Sequence, residues 1–367
     1  MMRLDDREWK PIPMTKLFAD GFVRGKISSA TDEKKDPNGV PYVGATDRNN
    51  GVIDYVTPDT KRQQDGNCIV FIRDGQGSVG SSIYRATPFI ATVNVSSGYA
   101  PWMNPYTGIF VSVAANMVRE KYGFGYKRKD ERLKAERVML PVTSEGDPDY
   151  QFMEDYIREL MDTKKKQYRE YVKQRIAELG AIPDDQKVDW KSLIDSHEWE
   201  PFYMSQIFDE PQRGKRIVNE NHIEGNTPLV SSQGTNNGVT NFVGNEDGVR
   251  RFKNCLSIAN GGSSAGKCYY QPFEFVGADH VTQCFRLDAS PQQYLFLSAI
   301  ISKALMGKYG FSHEIKDKAL VRERVLLPVT DDGQPDYDFM EEFGRKMMSN
   351  KYNQYLAFLA MSDTIKE

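Results

Sequence analysis

Apolar positions along this chain follow two different periods. From Met153 they step by three and four through Tyr156, Ile157, Leu160, Met161, Tyr168, Tyr171, Val172 and Ile176 to Leu179-Gly180. That spacing predicts a long amphipathic helix over 153–180, with a charged outer face (Lys164-Lys165-Lys166, Arg169-Glu170) and a glycine stop. A weaker copy passes through Met340, Phe343, Met347, Tyr355, Leu356 and Leu359 near the end of the chain. Elsewhere short apolar runs, such as 69–72, 89–95 and 109–113, are bounded by Gly, Pro and Asn, as strands are. Asn50-Gly51 and Asn237-Gly238 signal tight turns. Residues 291–308 form one more helical stretch, with Leu295, Leu297, Ile300, Ile301, Ala304 and Leu305 largely on one face. The expected class is α+β, strands mostly first and helix later.

That order occurs twice. Arg137–Tyr156 reads RVMLPVTSEGDPDYQFMEDY, and 324–343, at an offset of 187 residues, reads RVLLPVTDDGQPDYDFMEEF. In each copy a short apolar run (138–140, 325–327) meets a Pro expected to end the ladder, and a Gly/Pro/Asp turn then leads into a helix at Phe152-Met153-Glu154 or Phe339-Met340-Glu341. Other markers fall in the same order. Glu8-Trp9 matches Glu198-Trp199, and Arg24-Gly25-Lys26 matches Arg213-Gly214-Lys215. Asn67-Cys68 matches Asn254-Cys255, Gly80 with Tyr84 matches Gly266 with Tyr270, and Lys121-Tyr122-Gly123-Phe124 matches Lys308-Tyr309-Gly310-Phe311. The chain is an internal duplication. The expected layout is domain 1–152, helix 153–180, linker 181–196, domain 197–339 and helix 340–361. The two helices are expected to pack on each other with pseudo-two-fold symmetry.

Size and charge narrow the class. The 367 residues suffice for two ordinary domains. No run approaches the roughly 18 apolar residues of a membrane span, and the charged N-terminus (MMRLDDREWK) does not read as an export signal. The four cysteines have no C-x-x-C spacing, which suits a reduced, cytoplasmic protein. A net charge of −3 argues against a chain coated in nucleic acid but not against a local basic face.

Several motifs tempt and fail. Gly261 to Lys267 has the G-x-x-x-x-G-K spacing of a phosphate loop. Cys268 stands where Ser or Thr would reach Mg²⁺, the next residues read as a strand, and the duplicate loop has no Lys. Asn104-Pro105-Tyr106 is a fragment of an amino-methyltransferase motif and reads better as a turn. Pro183-Asp184-Asp185-Gln186-Lys187 reads as a solvated linker. The histidines at 197, 222, 280 and 313 have no ligand spacing. No acid–base, nucleophilic, metal or cofactor constellation survives.

The repeated unit resembles the target-recognition domain of DNA-specificity subunits from type I and type IIB-like restriction–modification systems. The residues that carry the resemblance are Glu8-Trp9, Leu17-Phe18, Pro41-Tyr42-Val43, Asn50-Gly51 and the stretch 68–80 (CIVFIRDGQGSVG), with 256–266 and Gln271-Pro272-Phe273 in the second copy. It covers almost the whole chain. It implies a non-catalytic subunit in which each domain reads half of a bipartite site. It also implies an antiparallel coiled-coil spacer, and partners comprising double-stranded DNA, adenine methyltransferase (modification) subunits and a fused or separate nuclease subunit, with no cofactor and no membrane. Divergence between the shared markers implies an asymmetric target. Base edges are read by Arg, Lys, Asn and Gln, and phosphates by Lys, Ser and backbone N–H groups. The candidate contacts are therefore Arg48, Asn49, Arg73, Gln76, Ser78, Lys127 and Arg128 in the first unit. In the second they are Ser232, Gln233, Thr235, Asn236, Asn260, Ser263, Ser264, Lys267 and Lys316. A duplicated β-rich protein-interaction scaffold without DNA binding is the alternative.

Overall fold

A computed structural model describes residues 2–28, 34–75, 77–123, 125–180 and 188–364, and the side chains up to 361. The chain divides into two units, Met1–Arg169 and Glu170–Glu367. Gln76, Phe124 and the acidic stretch 183–187 lie outside the described residues.

Each unit has two four-stranded sheets and a two-stranded ribbon, in matching order. In the first, Cys68–Ile72 lies between Val95–Gly98 and Ser82–Arg85, all antiparallel, with Phe22–Arg24 at the edge. Its second sheet runs Val52–Val56, Lys35–Val43, Phe89–Ala91, Gln63–Gln64, with one parallel pair at Tyr42↔Ile90. In the second unit Cys255–Ala259 takes the central place, between Val281–Cys284 and Cys268–Gln271. Both central strands are buried at all five positions, as strands flanked on both sides are, and Ser257 is the one polar residue in them. Cys68 and Cys255 are core residues with free thiols, and burial pushes their pKa values up to about 11 and about 12.

The twin stretches are ribbon strands. Arg137–Val142 pairs with Glu8–Pro13, and Arg324–Pro328 with Trp199–Tyr203. Their alternation sets the faces: Val138, Leu140, Val325 and Leu327 point into the cores, while Arg137, Met139, Arg324 and Leu326 face out. Contrary to expectation, the ladder does not stop before the proline, because Trp9 pairs with Pro141 and Trp199 with Pro328. A two-stranded ribbon leaves alternate N–H groups unpaired, so a Pro at such a position removes no ladder bond. The prolines also help the following turn: the carbonyls of Pro141 and Pro328 each accept the N–H of Asp149 or Asp336, at 2.9 Å.

Those aspartates start the long helices, earlier than expected. Asp149 Oδ1 accepts the Phe152 N–H at 2.9 Å and Asp336 Oδ1 the Phe339 N–H at 2.8 Å, as N-cap carboxylates do. The helices are Tyr150–Leu179 and Tyr337–Thr364. The first stops where Gly180 turns left-handed at φ 76°. Within the second unit its last turns lie against the second helix. The Arg345 Nε–H donates to the Leu179 carbonyl at 2.9 Å, and the Tyr171 and Tyr352 rings meet edge-on at 6.4 Å. The stretch expected as a linker contains a short helix, Trp190–Asp195.

Two strand expectations are corrected. Residues 109–113 lie within a helix, Pro105–Asn116, and the Asn104-Pro105-Tyr106 turn is its cap. Asn104 Oδ1 accepts the N–H groups of Tyr106 (2.9 Å) and Thr107 (3.0 Å), and Pro105 fills the first helical position. An apolar run five residues long has no period that separates helix from strand, so the cap decides. The run 89–95 is two strands in different sheets, Phe89–Ala91 and Val95–Gly98, because the chain crosses between sheets at Thr92 to Asn94. The second-unit helix runs Pro291–Leu305.

Candidate nucleic-acid interface

Three loops meet in each unit, and they are the loops richest in candidate contacts. The first joins the two strands of a hairpin, at 44–51 and 231–238. The second follows the central strand, at 73–81 and 260–267. The third follows the Tyr-Gly pair, at 123–130 and 310–317.

Backbone geometry shapes the hairpin tips alike. Asn49, Asn50 and Gly51 take φ of 48°, 53° and 78°, and Asn236, Asn237 and Gly238 take 51°, 50° and 79°. Asn tolerates this left-handed region better than other side chains, and Gly is free in it. The carbonyls are pinned from below, Asn50 by Arg85 Nη1–H at 3.1 Å and Asn237 by Gln271 Nε2–H at 2.7 Å. The repeat markers Asn67 and Asn254 are also left-handed, and each accepts the hydroxyl of the marker tyrosine, Tyr84 at 2.9 Å and Tyr270 at 2.8 Å.

Hydrogen bonds then stitch the loops together. In the first unit Ser78 Oγ–H donates to the Ala45 carbonyl (2.8 Å), Arg119 Nη2–H to Asp47 (2.7 Å), and the Arg128 N–H to the Arg73 carbonyl (3.0 Å). Lys127 pairs with Asp74. In the second unit Ser232 Oγ–H donates to the Gly261 carbonyl (2.6 Å), Lys267 Nζ–H to the Gly234 carbonyl (3.0 Å), and the Ile315 N–H to the Asn260 carbonyl (2.8 Å). Lys267 thus closes a loop-to-loop contact, and a strand, Cys268–Gln271, follows it where a phosphate loop has its helix.

Burial sorts the candidate residues. Arg48, Asn49, Lys127, Thr235, Asn236, Ser263 and Lys316 are exposed, and Ser232, Gln233 and Lys267 are half-buried. Arg73, Ser78, Arg128, Asn260 and Ser264 are buried. Arg128 has no exposed side-chain surface. Its guanidinium grips Glu136 with two bonds, at 2.7 and 2.6 Å, donates to the Gly80 carbonyl at 2.8 Å, and lies 5.0 Å above the Phe71 ring. Arg73 pairs with Asp130 at 3.0 Å, and burial pulls its pKa below the usual guanidinium range against that carboxylate. Asn260 hydrogen-bonds Thr282 at 2.9 Å. Arg73, Ser78, Arg128 and Asn260 brace the loops, and basic or amide character alone does not set such a brace apart from an exposed candidate. Gln76 lies outside the described residues.

Arg119 was missed. It links two loops, through Asp47 and the Gly77 carbonyl, from a short 3-10 turn, Arg119–Lys121, that runs into the Lys-Tyr-Gly marker, which could have singled it out. The frame is shared, but the side chains on it are not. At equivalent positions, Asp47, Arg48, Asp74, Arg119 and Lys127 of the first unit face Gly234, Thr235, Gly261, Met306 and Glu314 of the second.

Comparison with known proteins decides the family. The model of the type I restriction modification DNA specificity domain matches residues 7–170 and again 196–355. The chain belongs to this family. It is a non-catalytic specificity subunit with two DNA-recognition domains. The specificity subunit S.BcgI of a type II restriction enzyme from Heyndrickxia coagulans is 22% identical over 345 residues, 91% of this chain and 94% of that one. Among solved structures, the type I S subunit from M. genitalium is 15% identical over 99% of this chain and 96% of its own, with a TM-score of 0.48. The HsdS subunit from Thermoanaerobacter tengcongensis is 12% identical, covers 96% of this chain and 91% of its own, and has a TM-score of 0.31.

Proposed function

We propose that the chain reads a bipartite, asymmetric DNA site, one half with each three-loop cluster, and brings adenine methyltransferase subunits, with a fused or separate nuclease, to that site in the cytoplasm. The observation that carries this reading is the duplicated loop frame bearing different side chains. Equal frames suit equal tasks, and unequal tips suit unequal half-sites. Exposed Asn49 and Asn236 fit adenine edges, and Arg48 fits guanine or phosphate. Its guanidinium has no protein partner among the described residues. In this reading the recognition domains hand over to spacer helices near Asp149 and Asp336, and the helices form an antiparallel coiled coil that sets the gap between half-sites.

The test is selection from random duplex DNA by the full chain with its modification subunit. A two-part consensus is expected. Replacing 1–148 with the corresponding part of a relative should change one half only. Failure to enrich any sequence, or a swap that leaves the consensus intact, overturns the reading.

A further inference from the structure

The outer face of the ribbon has no role in the reading above, yet it is duplicated. In the second unit Leu326, on the outward side of its strand, is 56% exposed, and Ile194 is 38% exposed. With Trp199 and Ile300 they line a groove of about 860 Å³, whose rim includes Lys303 and Arg324. The first unit places Met139 (48% exposed), Leu4, Val113 and Arg137 at the corresponding positions. The framework underneath is repeated as well. The Trp9 indole N–H donates to the Leu4 carbonyl at 2.8 Å, and Trp199 to Ile194 at 3.1 Å. Each indole also stacks on a helix phenylalanine, Phe110 at 5.9 Å and Phe296 at 6.2 Å.

Core packing accounts for the inward residues of the twin strands but not for the outward ones, which touch no core in either unit. An Arg followed two residues later by a large, exposed apolar side chain, kept in both copies while the reading loops diverged, marks a surface with one kind of occupant. The charges indicate which kind. In the groove Asp195 is the one lining carboxylate against Lys303, Lys308 and Arg324. Lys308 is neutralised by Glu323 at 2.8 Å, whereas Arg324 contacts only the ring and hydroxyl of Tyr203 among the described residues. An apolar floor with a cationic rim suits an amphipathic segment that is apolar on one side and acidic on the other. DNA, which offers phosphates and little apolar surface, matches only the rim.

We infer that the groove on the second unit's ribbon face docks an acidic, amphipathic segment of the modification subunit, apart from the DNA-reading loops, and that the matching exposed face of the first unit, which shares the Arg and the apolar residues, takes a second such segment. This rests on the functional reading above. The experiment measures affinity of the full chain for its modification subunit alongside sequence enrichment by the assembled complex. Leu326→Glu and Met139→Glu should each weaken subunit binding at least tenfold, with consensus and half-site preference unchanged at saturating subunit. Leu326→Ala, which introduces no charge, should weaken binding severalfold, and Arg324→Glu should weaken it and flatten its salt dependence. Folded variants that bind the subunit as tightly as wild type overturn the inference. So does a loss of DNA retention with subunit binding intact, since these faces would then be DNA contacts. A wild-type chain that binds no modification subunit overturns the functional reading together with this one.

Discussion

Position 128 and its duplicate at 315 show how one frame tolerates opposite chemistry. In the first unit Glu136 is buried and needs Arg128. In the second the equivalent carboxylate, Glu323, leans outward to Lys308, and Ile315 fills the interior place. Arg128→Ile should therefore not be benign, although the duplicate carries Ile. It strands a buried carboxylate and should cost about 3–5 kcal/mol in denaturant unfolding, with much of that recovered by adding Glu136→Gln. Glu323 also gives a pH signature. Burial tends to raise its pKa, but Lys308 and the Tyr309 hydroxyl together outweigh it and hold the carboxyl below its usual 4.5. A carboxylate lowered in the folded state stabilises the fold above its unfolded pKa, and that contribution fades as pH falls through the folded value. Unfolding measured between pH 6 and pH 3 should show Glu323→Gln losing less stability on acidification than wild type.

At the scale of elements, Gly266 sets the second loop against the end of the helix Pro291–Leu305, and Gly80 sets its counterpart against the 3-10 turn Arg119–Lys121. Both are left-handed, at φ 89° and 86°, and a Cβ on Gly266 would lie 2.7 Å from the Leu305 carbonyl carbon. Gly266→Ala should destabilise the chain by about 1–3 kcal/mol in urea, since a strained φ is added to a clash with backbone that cannot step aside. Such positions explain what was readable in advance. Gly80, Gly266, Asn67 and Asn254 stood out as repeat markers because a single backbone geometry needs them, and period alone revealed the long helices. The helix at Pro105–Asn116 was not legible as such, since its apolar run is short and its cap resembled a turn. Exposure among the candidate contacts was the least legible part. Arg128 and Lys127 adjoin in sequence, yet one is fully buried and the other exposed, and only the path of the third loop separates them.

For the whole molecule, the proposed spacer makes a geometric demand. The two long helices have 30 and 28 residues, nearly equal, as partners along a shared length should be. At about 1.5 Å per residue the first is about 45 Å long. Deleting seven residues from each, at 163–169 and 347–353, removes about two turns and keeps the apolar stripe nearly in phase. The spacer shortens by about 10 Å, equivalent to about three base pairs at 3.4 Å each. Three base pairs also rotate one half-site about the duplex by roughly 100°, given about 10 base pairs per turn. The complex therefore has to select a shorter gap and absorb that rotation, or lose affinity for every gap. Sequencing of selected DNA should show both half-sites intact with a contracted spacing, or, if the rotation is not absorbed, no bipartite consensus at all. Recovery of the original spacing by a folded double deletion would mean that something other than these helices measures the gap.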